Sequence, residues 1–247
     1  MKKIALSLLL VTLSLFGGTI NIAVAANVAD AMEELKAEFQ KSNPSTEVQV
    51  MLGSSGKLVA QIKNGAPFGV FLSADMEFPY ALYEEKIAIT EPVVYAQGEL
   101  AYLSAKSVNF SKGIALVAEP SIEKIAIANP KTAPYGKAAV ETMTNAKVYE
   151  SVKSKLVFAE SISQAVTYAT TAADIGFVAK SSLFGANMKK YKEGVNWVSV
   201  DTKLYTPIKQ GIVILKNGAD NNEYKAFYDF VLSPKGKEIL KKYGYTV

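Results

Sequence analysis

The chain contains no cysteine and no histidine, and all 27 of its basic side chains are lysines, so arginine is missing as well. Without cysteine there is no disulfide, no thiol nucleophile and no cysteine-linked lipid anchor. Without histidine the commonest general base and metal-binding imidazole are gone, which excludes Ser-His-Asp and Cys-His catalysis and ordinary zinc sites. Without arginine the chain lacks the fork best suited to bidentate contact with phosphate and guanine, so nucleic acid is not an expected partner. Hydroxyls, amides, carboxylates, lysine ammonium groups and the backbone remain for chemistry.

What is present is the make-up of a folded globular protein: 247 residues, 49% hydrophobic and 20% charged, with 23 acidic side chains against the lysines. Such a length permits one large domain or two lobes, each with its own core. Met1-Lys2-Lys3 precedes an apolar run from Ile4 to Phe16. The run is shorter than the roughly 20 residues that cross a bilayer, and it reads as a signal peptide over residues 1–18. The small-x-small triplet Ala23-Val24-Ala25 is rejected as the cleavage site, because cutting there discards a strand pattern running from Thr19 to Ala25. Cleavage near Gly17 to Thr19 keeps that strand. Loss of Lys2 and Lys3 lowers the net charge of +4 by two. The expected product is a freely diffusing, monomeric periplasmic protein with no lipid anchor.

Hydrophobic periodicity then divides the chain into alternating elements. Val28, Ala31, Met32, Leu35 and Phe39 fall on one helical face that closes at Asn43-Pro44. Glu47 to Leu52 reads as a strand and Leu58, Val59 and Ile62 as a short helix ending at Asn64-Gly65. Val70 to Leu72 reads as a buried strand, followed by a helical stretch to Lys86. The pattern restarts with a strand over Ile125 to Ala128, a loop from Asn129 to Gly136 and a helix over Lys137 to Ala146. Leu156 to Phe158 and Ile175 to Val178 are strands around a helix carrying Ile162, Ala165, Val166 and Ala169. Two helices end the chain, the last starting at Ser233-Pro234.

This alternation predicts an α/β fold of two mostly parallel-sheet lobes. Extended segments near 93–103 and 206–215 are the expected crossing strands. The lobes are then residues 19–95 plus 207–247, and residues 96–206. Each strand-to-helix junction leaves unpaired N–H groups and a positive dipole end at the sheet edge. Five junctions qualify: Ala25-Ala26-Asn27, Gly53-Ser54-Ser55-Gly56, Ser73-Ala74-Asp75, Thr132 to Gly136, and Glu160-Ser161-Ile162. If the lobes face each other, these converge on one cleft suited to an anion.

Several motifs admit a plainer interpretation. Gly53-Ser54-Ser55-Gly56-Lys57 lacks the Gly spacing of a phosphate loop, and Leu58 stands where a magnesium-binding hydroxyl belongs. It is either a Gly/Ser turn capping a helix or a cradle of hydroxyls and N–H groups for an oxoanion. Ser54-x-x-Lys57 matches the first motif of serine-lysine acyl enzymes, but the companion Ser-Asp-Asn and Lys-Thr-Gly motifs are missing. Asn27 is either a helix N-cap or an amide turned outward to an anion, and the two are compatible. Tyr135 either shields its loop or faces the cleft. Asp75 and Glu160 read as caps or solvated groups, because a carboxylate repels an anion.

Together, Ile22 to Asn27, Leu52 to Leu58, Gln61 to Pro67, Val70 to Asp75, Asn129 to Gly136 and Ser233 to Tyr245 resemble the periplasmic molybdate-binding proteins of bacterial ATP-binding cassette importers. The resemblance covers essentially the whole mature chain. It implies a type II-like periplasmic binding fold closing on a tetrahedral dianion, molybdate or tungstate, with no further cofactor and an inner-membrane ABC permease as partner. It also implies first-lobe donors Asn27, Ala26 N–H and Ser55, and second-lobe backbone donors at Tyr135 and Ile162, with Ser54 and Ala74 completing the wall. Much of the family has Ser at Asn27 and Tyr at Ala179; Tyr135 is expected to replace that missing Tyr. The competing expectations are another oxoanion such as sulfate or phosphate, and an acyl enzyme using Ser54 and Lys57. A ferric-ion binder needs converging Tyr and carboxylate groups, and the cleft loops offer only Tyr135.

Overall fold

The computed structural model describes residues 18–247; the predicted leader, apart from Gly18, lies outside them. In chain order the first elements are β1 (Thr19–Ala25), α1 (Ala29–Ser42), β2 (Glu47–Gly53), α2 (Ser55–Lys63), β3 (Val70–Leu72) and α3 (Glu77–Glu84). Then come β4 (Val93–Gly98), β5 (Leu100–Leu103), β6 (Ile125–Ala128), α4 (Pro134–Asn145), α5 (Tyr149–Val152), β7 (Leu156–Ala159), α6 (Ile162–Thr171) and β8 (Ile175–Ala179). The chain finishes with β9 (Trp197–Ser199), β10 (Ile208–Ile214), α7 (Asn222–Leu232) and α8 (Pro234–Lys242). Among the described residues no helix is long and apolar enough to cross a membrane.

The strands form two five-stranded sheets, ordered β2-β1-β3-β10-β4 and β7-β6-β8-β5-β9. Strand alternation sends side chains to opposite faces. On one face of the first sheet Ile20, Ile22 and Val24 meet Met32, Leu35 and Phe39 of α1 and Phe227 of α7. On the other, Ala23, Phe71 and Val213 meet Leu58 and Ile62 of α2 and Leu82 of α3. The second sheet is covered likewise, by Ala139 and Met143 of α4 on one side and by Ala169 of α6 with Leu183 and Met188 on the other. β1 lies inside its sheet, paired to β2 and β3, so cleavage after Ala25 would remove a core strand.

The sheets are mixed rather than mostly parallel. β1 pairs in parallel with β2 and β3, whereas β10 runs antiparallel to β3 and β4. In the second sheet β6 is parallel to β7 and β8, and β5 is antiparallel to β8 and β9. The reason is topological. β5 and β10 each enter their sheet from the opposite lobe, so they start at the cleft edge and run away from it. The first crossing passes Glu99 between β4 and β5; the second runs through 200–207 between β9 and β10.

Two helix starts differ from expectation. α4 begins at Pro134, with Pro at its first turn, which draws Tyr135 and Gly136 out of the loop and into the helix. Gly136 permits this, since a Cβ there would sit 2.1 Å from the Ala128 carbonyl oxygen. α1 begins at Ala29, after a 3-10 turn over Ala26–Val28 that contains Asn27.

Candidate functional site

All five junctions meet at one small cavity between the sheets. Its wall is Ala25, Ala26, Asn27, Gly53, Ser54, Ser55, Ala74, Ala133, Pro134, Tyr135 and Ile162. Every one of Asn27, Ser55, Tyr135, Ile162, Ala26, Ser54 and Ala74 is therefore placed on it. The cavity is small, about 10 Å³. No wall residue is charged.

Donors dominate the wall because three helices start there. Ser55 opens α2, Tyr135 is the second residue of α4, and Ile162 opens α6. The first N–H groups of a helix have no carbonyl one turn back to bond. Ser55 Oγ accepts from the Ala74 N–H at 3.0 Å, which leaves its own hydrogen free to donate. Ser54 Oγ is buried with no partner. A buried polar atom left unpaired costs about 1–3 kcal/mol, so such a hydroxyl favours a guest that satisfies it.

Asn27 lies within the 3-10 turn and makes no side-chain cap, so the N-cap expectation is not met. Asn27 Nδ2 donates to Gln210 Oε1 at 2.8 Å and to Tyr245 Oη at 2.9 Å. Its Oδ1 has no partner. Behind it, Gln210 Nε2 donates to Tyr135 Oη at 3.1 Å, and the Tyr95 hydroxyl donates to Gln210 Oε1 at 2.8 Å. Gln210, Tyr95 and Tyr245 were not among the sequence candidates. The signal for Gln210 was a lone amide opening the apolar strand run Gly211 to Leu215. Three tyrosines thus converge where the sequence offered only Tyr135. Burial pushes all three hydroxyls well above their ordinary range, which favours their neutral, hydrogen-bonding form. No cluster of three or more metal-ligating carboxylates occurs among the described residues.

Direct bonds hold the two lobes together around the cavity. The Gly56 N–H donates to the Thr132 carbonyl at 2.9 Å. Ser163 Oγ donates to the Ala26 carbonyl and Ser181 Oγ to the Asn27 carbonyl, each at 2.9 Å. Two exposed ion pairs flank them, Lys57 with Glu160 at 3.0 Å and Lys137 with Glu77 at 2.7 Å. Asp75 stands outside the cavity, accepting from Ser73 Oγ at 3.0 Å and from the Phe78 N–H at 3.2 Å. It caps the start of α3, and Glu160 is solvated, as expected of both.

Two α/β lobes, linked by two crossings and closed on a small, uncharged, donor-lined cavity, define a solute-capturing protein of the flytrap class. The chain belongs to the bacterial extracellular solute-binding proteins, whose family model matches residues 20–246. It is 43% identical over 232 residues to the molybdate-binding protein ModA of Rhodobacter capsulatus, covering 93% of this chain and 88% of that one. It is 39% identical over 228 residues to ModA of Azotobacter vinelandii, covering 92% and 89%. The fold superposes on the solved Azotobacter vinelandii periplasmic molybdate-binding protein with a TM-score of 0.84 at 32% identity, over 92% of this chain and 99% of that one.

Burial raises the Asp75 carboxyl above its ordinary value, against the opposing bonds from Phe78 and Ser73. A folded-state value above the unfolded one contributes stability that is complete below about pH 4 and lost as pH rises through the folded value. Asp75→Asn retains an acceptor for the cap without the charge. Urea unfolding at about pH 4 and pH 7 should therefore show the wild type losing stability relative to Asp75→Asn as pH rises; a constant difference would contradict this.

Proposed function

We propose that the chain captures molybdate, and tungstate equally, in the periplasm and delivers it to an ABC permease of the inner membrane. The observation that carries this reading is the uncharged cavity walled by hydroxyls and helix-start N–H groups from both lobes, in a chain whose relatives are named for molybdate. Residues 1–18 export the chain, no lipid anchors it, and it acts as a monomer. Its lobes are 19–95 with 207–247, and 96–206.

Molybdate and tungstate are fully deprotonated dianions at neutral pH, so they accept hydrogen bonds and donate none. Asn27, Ala26 N–H, Ser54, Ser55 and Ala74 supply the first-lobe wall; Tyr135 and Ile162 supply N–H groups from the second. Monohydrogen phosphate would set its proton against a donor, at about 1–3 kcal/mol. Sulfate has no proton and is rejected by size, because its shorter bonds do not reach the donors of both lobes together. Donors on both lobes engage only in the closed state, so the ion shifts the population toward closure. Neutral donors also leave no fixed counter-charge to hold the ion at the permease.

Binding proceeds without turnover. The acyl-enzyme alternative needs Lys57 as a base for Ser54, but the half-exposed Lys57 ammonium pairs with Glu160 at 3.0 Å, and Ser54 Oγ has no hydrogen-bond partner.

Thermal unfolding tests the ligand. Molybdate at 100 times its Kd should add about 2.7 kcal/mol, or about 5–11 °C for a chain of this size, with tungstate matching it. Sulfate and phosphate at the same concentration should leave the melting temperature in place. Stabilisation by phosphate alone would contradict the assignment.

Closure has its own test. A Cβ on Gly56 would lie 3.0 Å from Thr132 Cα across the cleft, and the further methyls of valine leave no room. Gly56→Val should weaken molybdate binding tenfold or more, about 1.4 kcal/mol, by calorimetry with unchanged circular dichroism. Wild-type affinity in that variant would contradict capture by closure at this contact.

A further inference from the structure

Two buried amides face each other behind the cavity, and which way each is turned decides whether Asn27 offers an anion a donor or an acceptor. Gln210 is fully buried and Asn27 nearly so, at 0% and 2% exposure. With Asn27 Nδ2 committed to Gln210 Oε1 and Tyr245 Oη, the one side-chain polar atom left on this cavity-lining residue is the unpartnered acceptor Oδ1. An acceptor there repels a bound oxygen that carries negative charge.

The same heavy-atom positions admit a second pattern, reached by turning both amides through half a rotation. Amide nitrogen and oxygen exchange places without moving the scaffold. Gln210 Nε2 then donates one hydrogen to Asn27 Oδ1 and the other to Tyr95 Oη. The Tyr95 hydroxyl already lies 3.1 Å from the Ser73 carbonyl and sends its hydrogen there. Gln210 Oε1 now accepts from the Tyr135 hydroxyl across the existing 3.1 Å. The Tyr245 hydroxyl, 2.9 Å from the Asn27 amide, turns its one hydrogen from the Asn27 carbonyl to Asn27 Oδ1, and that carbonyl keeps the bond from Ser181 Oγ. Asn27 Oδ1 gains a donor, and its N–H₂ faces the cavity.

Of the groups touching the Asn27 amide, Gln210 is the one whose own inversion changes which end of Asn27 it can pair with. It also spans the lobes, since β10 belongs to the first sheet while Tyr135 opens α4 on the second. We propose that Gln210 is a positioning residue for the oxoanion: paired with Asn27 in this second pattern, it makes the Asn27 amide present its N–H₂ to the anion, and it ties that pairing to lobe closure through Tyr135. This rests on the oxoanion reading above.

The test pairs neutron diffraction with calorimetry, both using sodium molybdate. In deuterated wild-type crystals grown with molybdate, deuterons of Asn27 Nδ2 should point at the anion, and deuterons of Gln210 Nε2 at Asn27 Oδ1. Gln210→Met, close in volume and unable to pair with Asn27, should bind molybdate at least tenfold more weakly than wild type. A bound anion with Asn27 Nδ2 still donating to Gln210 Oε1, or wild-type affinity in Gln210→Met, would overturn the inference while leaving molybdate capture intact. A wild-type chain that binds no molybdate would overturn the capture reading itself, and this inference with it.

Discussion

The 2.9 Å bond from the Gly56 N–H to the Thr132 carbonyl sets the distance between the two lobes, and the cavity exists because that distance is so short. Glycine eases this approach, because a Cβ at residue 56 would press on Thr132 Cα at 3.0 Å and on its carbonyl oxygen at 3.2 Å. At that separation, the starts of α2, α4 and α6 are brought around one point. Each supplies N–H groups that no carbonyl of its own helix can satisfy. A small solute rich in acceptors completes what the backbone leaves unfinished.

The wall is neutral, and the charges stand outside it. Lys57, Glu160, Lys137 and Glu77 pair with each other at the exposed rim, where ion pairs contribute little. Selectivity must then come from counting donors and from the separation of the lobes. A wall dominated by donors suits a dianion that carries no proton better than one that does. The absence of arginine from the whole chain belongs to the same picture, because binding that relies on enclosure has no need of a rigid counter-charge.

Much of this was legible in the sequence because it is local. The Ile20, Ile22 and Val24 alternation, the α1 face of Met32, Leu35 and Phe39, and the Gly53-Ser54-Ser55-Gly56 turn all lie within short windows whose period or turn chemistry is decisive. Strand direction was not legible in that way. β5 and β10 read as ordinary strands, and their antiparallel sense follows from arriving out of the other lobe. The start of α4 carried a signal in Pro134, but the loop-like run around it pointed three residues further on. The network behind the cavity was hidden because Asn27, Tyr95, Tyr135, Gln210 and Tyr245 are scattered along nearly the whole chain. Nothing near Asn27 in the sequence tells that its amide pairs with Gln210.

The account turns on where the anion sits and what touches it, and anomalous diffraction at the molybdenum absorption edge from crystals grown with molybdate reads this directly. The account predicts one strong anomalous peak between Ser55 and the starts of α4 and α6, ringed by N–H and O–H groups of both lobes with no ammonium in contact. A peak held chiefly by lysine side chains at the rim, or a cavity with no peak at all, would contradict it.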